Sequence, residues 1–309
     1  MKVIFVASGN KSVGTVSSFV RSQFQSLKAE GLDMLLFPIR GKGMKSYAKG
    51  IVELRKIVRK EHPDVVHAHY SICGIVAKLA CLGTKTKVIV SILGSFPRDT
   101  FKLHWVRFCI KHVWNATITK SQRTANQLGI DLPVIPNGVN LDQFTLIDKG
   151  EAKTMCGFEE DKKYVIWCSN PSRTEKRFGW AREAVELLKD DKVVLLPVYD
   201  KTHDEVVKYM CAADVLLLTS EMEGSPNVIK EAMACNCPIV STDVGDVRWV
   251  TEGVQGTYVA PIGDTLALSH CLRDALNYAR RTEGRKRIIE YGLTTKEIAK
   301  KIKSIYDAI

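Results

Sequence analysis

A chain of 309 residues exceeds what one hydrophobic core ordinarily organises, so two domains are expected. Apolar residues make up 45%, a soluble globular balance, and no run approaches the length of a membrane-spanning helix. The net charge of +11 sits wholly in the first half: residues 1–150 carry 22 Lys/Arg against 9 Asp/Glu, and residues 151–309 carry 23 against 25.

The opening MKVIFVASGN has too short an apolar run for a signal peptide and reads as a buried first strand. From there, short apolar runs alternate with helical periodicity. Strands are predicted over 3–8, 34–39, 65–69, 88–92, 117–119 and 134–136, and helices over 15–30, 44–61, 72–81, 101–114 and 122–128. Apolar strands separated by helices mean a parallel, doubly wound α/β sheet. The plan then repeats, with strands over 164–168, 193–197, 215–219, 239–242 and 257–259. The boundary is placed at 147/148, giving domains 1–147 and 148–293. A last helix over 294–309, apolar at Ile298, Ile302 and Ile305, is expected to cross back onto the first domain. Nine cysteines, an odd number without a C-x-x-C pair, are expected as reduced thiols in a cytoplasmic protein.

The richest segment is 220–245, SEMEGSPNVIKEAMACNCPIVSTDVG. Glu223 and Glu231 are separated by seven residues, and Gly224-Ser225-Pro226-Asn227 forms a turn that opens a helix. Ser225 suits an N-cap and Pro226 the first helical position. The free N–H groups of that helix start make a seat for a diphosphate. One carboxylate can then grip the hydroxyls at one end of a nucleotide sugar and the other its ribose.

Glu223-Gly224 followed by Glu231-Ala232-Met233-Ala234, between ADVLLLTS and PIVSTDVG, resembles the donor-binding signature of the retaining glycosyltransferases of family 4. Pro136-Asn137-Gly138-Val139-Asn140 with Phe144 resembles the element that closes their first domain. The resemblance covers nearly the whole chain. It implies the GT-B fold, two doubly wound Rossmann-like domains facing across a cleft. It implies that Glu223 binds the transferred sugar, Glu231 the ribose, and Arg173 and Lys176 the diphosphate, helped by N–H groups around Ser225 and Asn227. Arg173 substitutes for an Arg usual where Asn170-Pro171 stands, and Arg177 is the alternative. Two cations can offset a leaving diphosphate without a metal. No cofactor is expected beyond the donor substrate.

In the first half, the loop containing Gly14 follows the first strand, and Gly94 and Ser95 follow the fourth; the resemblance places all three by the cleft. Leu93 stands where many relatives have His. His67 and His69 alternate to one face, so a metal pair is conceivable, but no third ligand is evident; a core or cleft-wall position is the better reading, with His69 and Ser95 on the acceptor side. Asn236 is expected to take a left-handed backbone after the helix of Glu231. Eight Lys/Arg between residues 40 and 60, and aromatics including Trp105 and Trp114 interleaved with Lys and Arg over 101–114, suit an anionic membrane surface, and no nucleic-acid module is recognisable.

The expected activity is therefore metal-independent, retaining transfer from a nucleotide-diphosphate sugar, a UDP-sugar, to a glycan or lipid-linked acceptor in cell-envelope polysaccharide biosynthesis. The protein would be cytoplasmic, with its basic first domain peripheral at the membrane. A sugar-nucleotide epimerase of GT-B fold and a non-catalytic sugar-nucleotide or polysaccharide-binding module are the alternatives. A dehydrogenase is disfavoured because no G-x-G-x-x-G follows a strand.

Overall fold

A computed structural model of the chain describes residues 1–9, 16–41, 43–94, 96 and 100–309. The chain divides into two compact units, one formed by Met1–Gly138 with Thr295–Ile309 and the other by Val139–Thr294.

The first unit is built from β1 (Lys2–Ser8), α1 (Ser18–Ala29), β2 (Asp33–Ile39), α2 (Met44–Glu61), β3 (Val65–His69), α3 (Ser71–Ala80), β4 (Lys87–Ile92), α4 (Phe101–His112), β5 (Ala116–Thr119) and α5 (Gln122–Leu128). All pairings are parallel, in the order β2-β1-β3-β4-β5. Val3 to Ala7 of β1 are fully buried, as expected for a parallel strand covered on both faces.

The second unit contains α6 (Lys149–Cys156), β6 (Lys163–Trp167), α7 (Phe178–Glu186), β7 (Val193–Pro197), α8 (His203–Ala212), β8 (Val215–Leu218), α9 (Asn227–Ala234), β9 (Ile239–Thr242), α10 (Val247–Thr251), β10 (Thr257–Ala260), α11 (Thr265–Tyr278) and α12 (Gly284–Glu290). Its parallel order is β10-β9-β8-β6-β7. In each unit the first strand is flanked by the second and the third, so the winding direction reverses between first and third. Ligands of doubly wound sheets bind at the carboxyl ends of strands at that reversal, which here lies between β1 and β3 and between β6 and β8.

The last helix, α13 (Thr295–Asp307), belongs to the first unit and packs on α1. Its buried face is Ile298, Ile302 and Tyr306, at a spacing of four, and the expected Ile305 is only half-buried. Tyr306 anchors the helix through its hydroxyl, 2.6 Å from His67 Nδ1.

Three expectations are corrected. Residues 134–136 do not form a strand: Val134 makes a single bridge to Thr119, and Pro133 and Pro136 have no N–H for a ladder. The units part at Gly138/Val139 rather than 147/148, because Val139 N bonds Leu293 O at 3.0 Å and Arg285 donates to the carbonyls of Leu141 and Phe144. Trp114 is not a surface aromatic. It is buried, its ring so close to Gly74 that a β-carbon there would lie 3.0 Å away.

Candidate functional site

The loops at the carboxyl ends of β6, β8 and β9 converge in the second unit. After β6 the chain reaches a 3-10 turn, Thr174–Lys176, and Arg177 then takes a left-handed backbone at φ 53°. Thr219, just beyond β8, pins this turn: its hydroxyl donates to Lys176 O at 2.9 Å and accepts from Trp167 Nε1 at 2.9 Å. Lys176 is thereby aimed at the β8 loop, where its ammonium forms a hydrogen-bonded ion pair with Glu223. The two side chains are mostly buried, at 15% and 18% exposure, so screening by water is weak.

Arg173 does not join that pair. It is half exposed and bonded to Glu175, at 2.7 and 2.9 Å. Arg177, the alternative, forks onto Glu221 at 2.6 and 2.9 Å.

The turn into α9 differs from the expected cap. Pro226 occupies the N-cap position and Asn227 opens the helix; among the described residues no side chain is seen to cap it. The Ser225 hydroxyl is drawn elsewhere. It donates to Asp246 Oδ2 at 2.8 Å and accepts from Lys230 Nζ at 2.9 Å, while Lys230 reaches the same carboxylate oxygen at 2.8 Å. The first N–H groups of α9 are thus left without a side-chain cap, the condition for an anion seat. Gly245, with φ 57°, closes the other side of the turn, since a β-carbon there would stand 2.5 Å from Gly224 O. Thr242 adds a bond to Ser220 O at 2.7 Å. Among the described residues, Ser169 Oγ, Ser220 Oγ, Asn227 Oδ1 and Asp246 Oδ1 around these strand ends are buried without a hydrogen-bond partner.

Glu231 lies one turn into α9. No side-chain hydrogen bond is recorded for it among the described residues. Burial pushes its carboxyl up to about 7, against the opposing pull of the Lys230 charge. Burial, then the Glu231 charge, also pushes the Cys168 thiol far up, placing Cys168 in the same neighbourhood. A desolvated carboxylate without an internal partner is a candidate ligand group on physical grounds. At the end of α9, Asn236 takes the expected left-handed backbone, φ 53°, and its side chain accepts from Arg285 N at 2.9 Å.

In the first unit His67 and His69 stack at 4.7 Å at the end of β3 and are fully buried. His67 bonds Tyr306 and Ser91, and His69 Nε2 lies 2.8 Å from Gln23 Oε1. These are core positions. Gly94 lies just past β4, where an added β-carbon would meet nothing within 4 Å among the described residues. Gly14 and Ser95 lie outside the described residues. Among the described residues no three His, Cys, Asp or Glu side chains gather as a metal-binding group.

Sequence reasoning missed Lys230, Asp246, Gly245 and the Trp167–Thr219 bond. One signal was available: Lys230 interrupts an apolar helix face, between Ile229 and Ala232, where a charge needs a partner.

Residues 6–120 match the family described as "Glycosyl transferase 4-like", and residues 159–277 match "Glycosyl transferases group 1". Among curated proteins, the chain is 28% identical over 216 residues to the "Putative teichuronic acid biosynthesis glycosyltransferase TuaC" of Bacillus subtilis, covering 61% of this chain and 55% of that protein. It is 26% identical over 245 residues to the "UDP-Gal:alpha-D-GlcNAc-diphosphoundecaprenol alpha-1,3-galactosyltransferase" of Escherichia coli, covering 63% and 62%. The chain thus spans less than two thirds of these relatives' own length. Among solved structures, a glycosyltransferase from Rickettsia africae superposes with TM-score 0.77 at 15% identity, over 99% of this chain and 98% of that one. HepE of Anabaena, solved with UDP-glucose, superposes with TM-score 0.76 at 14% identity over both whole chains.

Proposed function

The chain belongs to the family 4 glycosyltransferases of GT-B fold, and on that premise we propose that it moves a sugar from a UDP-sugar to a glycan or lipid-linked acceptor in cell-envelope polysaccharide assembly. The observation that carries this reading is the convergence, in one cluster of strand ends, of the Lys176–Glu223 pair, the start of α9 and the buried carboxyl of Glu231. The UDP and undecaprenyl chemistry in the names of the neighbour and the relative supports the choice of donor and acceptor class.

The diphosphate sits at the N–H groups of Asn227 and its neighbours, and Lys176 turns from Glu223 to meet its charge. Arg173 supplies the second cation by exchanging Glu175 for phosphate. Glu223, released from Lys176, accepts hydroxyls of the transferred sugar; Glu231 accepts those of the ribose. Gly224, Ser225 and Pro226 contribute the close backbone of the turn. The donor C1–O bond breaks as the acceptor hydroxyl bonds C1 on the same face, and the acceptor proton passes to the departing diphosphate oxygen. Configuration is retained, and the cations do the work a metal does elsewhere.

The test is donor turnover with a panel of nucleotide sugars, with and without EDTA. A UDP-sugar should be hydrolysed slowly without an acceptor, and EDTA should leave the rate unchanged. Glu231→Ala should weaken UDP and UDP-sugar alike, because both carry the ribose. Glu223→Ala should spare UDP and lower turnover by roughly a hundredfold. Equal UDP affinity in wild type and Glu231→Ala removes the ribose assignment. Release of an epimerised free sugar would replace transfer by epimerisation.

A further inference from the structure

Lys230 and Asp246 are a buried ion pair, with side-chain exposures of 1% and 3%. Such a pair seldom raises stability over a well-packed apolar alternative, because desolvation offsets the Coulomb attraction. Stability alone therefore does not account for a lysine on the buried face of α9.

The pair's connections suggest what does. Through Ser225 Oγ it holds the turn between β8 and α9. Through Asp246 it holds the loop between β9 and α10, whose Gly245 already lies against the Gly224 carbonyl. Lys230 also precedes Glu231 on the helix. The triad thus ties the segment bearing Glu223, the start of α9 and the turn bearing Glu231 to one point beneath them. Because the Ser225 hydrogen goes to Asp246 and its oxygen accepts from Lys230, this hydroxyl holds the turn, and among the described residues it is not seen to cap α9.

We propose that the side chains of Lys230, Asp246 and Ser225 form a positioning cluster that holds the Glu223–Asn227 turn in its donor-binding shape. This rests on the donor reading above. Lys230 compensates the Asp246 charge, so no bare carboxylate faces the seat of an anion, and Ser225 transmits the pair's geometry to the turn.

The experiment compares wild type, Lys230→Met, Asp246→Asn, the double variant Lys230→Met/Asp246→Asn and Ser225→Ala. Thermal unfolding and UDP calorimetry are run on each. Each charge-removing single variant leaves one buried charge uncompensated and should melt early. The double variant leaves no buried charge at this point and should recover most of that loss. Its UDP affinity should nonetheless stay down by roughly tenfold, as expected for a displaced binding segment. Ser225→Ala keeps the ion pair, so its melting temperature should fall less than that of either charge-removing variant while its UDP affinity falls by a similar factor. Lys230→Arg, which retains the charge, should bind UDP more tightly than Lys230→Met.

A double variant that regains wild-type UDP affinity together with its melting temperature overturns the proposal and makes the cluster a fold element only. Unchanged affinity in Ser225→Ala overturns it as well, even if the double variant fails to fold. Absence of nucleoside-diphosphate binding in the wild type overturns the donor reading itself, and this proposal with it.

Discussion

Gly245 and Gly224 meet backbone to backbone: a β-carbon on Gly245 would stand 2.5 Å from Gly224 O and 2.9 Å from its carbonyl carbon. The contact sets how closely the β9–α10 loop approaches the turn that carries Glu223. Gly245 also has φ 57°, so a side chain is disfavoured by conformation as well as by space. Gly245→Ala should destabilise the second unit by about 1–3 kcal/mol. It should also lower UDP affinity by pushing the turn outward. Thermal unfolding and calorimetry measure both, and an unaltered UDP affinity would dissociate this contact from the donor site.

On the proposed ribose role, Glu231 should make UDP binding pH-dependent. Its carboxyl is raised from the usual 4.5 to about 7 in the folded protein. Between those values the folded state holds a proton that the unfolded state releases, so this group's contribution to stability falls as pH rises from 4.5 to 7. Ribose hydroxyls donate to the carboxylate form. Below pH 7 binding must expel the proton, and affinity should fall by up to about tenfold per pH unit. Glu231→Gln removes this component. UDP titrates too, so the measurement is the difference between wild-type and Glu231→Gln affinities from pH 5 to 8. Parallel profiles would contradict the assignment.

Tyr306 ties α13 to the sheet. Tyr306→Phe deletes the partner of His67 Nδ1 inside a fully buried network and should cost about 1–3 kcal/mol. Hydrogen exchange should quicken in residues 295–309 ahead of the rest. Burial holds His67 well below its ordinary value of 6.5 and His69 at about 3. The unfolded chain takes up protons below pH 6.5 that these rings refuse in the fold, so stability should decline as pH falls through that range. In Glu231→Gln, where the opposing contribution of Glu231 is removed, a flat unfolding profile from pH 7 to 5 would count against this.

The basic first unit is expected to bind anionic vesicles. Among its exposed apolar groups are Phe101 at 87%, Met44 at 78%, Val52 at 57% and Phe108 at 56%, on helices that also carry Lys45, Lys49, Arg55, Lys56 and Lys102. Among the described residues no helix is long and apolar enough to cross a membrane. Co-sedimentation with phosphatidylglycerol vesicles should be strong at low salt and weaken at high salt, each basic residue contributing about 1 kcal/mol. Changing Lys45, Lys49, Arg55 and Lys56 to Gln should reduce it. If wild-type protein stays in the supernatant at low salt, the basic face serves another purpose.

Much of this was legible in the residues because parallel strands write themselves as uninterrupted apolar runs. Val3–Ala7 and Val215–Leu218 need no tertiary information to be recognised. Asn236 was legible because few residues tolerate its backbone. What stayed hidden depended on partners distant in the chain. Ser225 reads as a cap until Asp246, 21 positions later, claims its hydroxyl. Trp114 reads as an interfacial aromatic until Gly74 shows the space that receives it. Arg173 reads as a free cation until Glu175 is seen beside it.

The first unit is interrupted in the chain: its helix α13 follows the 156 residues of the second unit, 139–294. On the ribosome, synthesis at about 5–20 residues per second leaves the first sheet waiting roughly 8–30 seconds for its last helix. During that interval the His67 ring and the groove awaiting Ile298 and Ile302 lack their covering. The second unit, continuous in the chain, has all its elements available before α13 emerges. The unit encoded first is therefore the one completed last, and its hydrophobic surface is what a nascent-chain chaperone would meet.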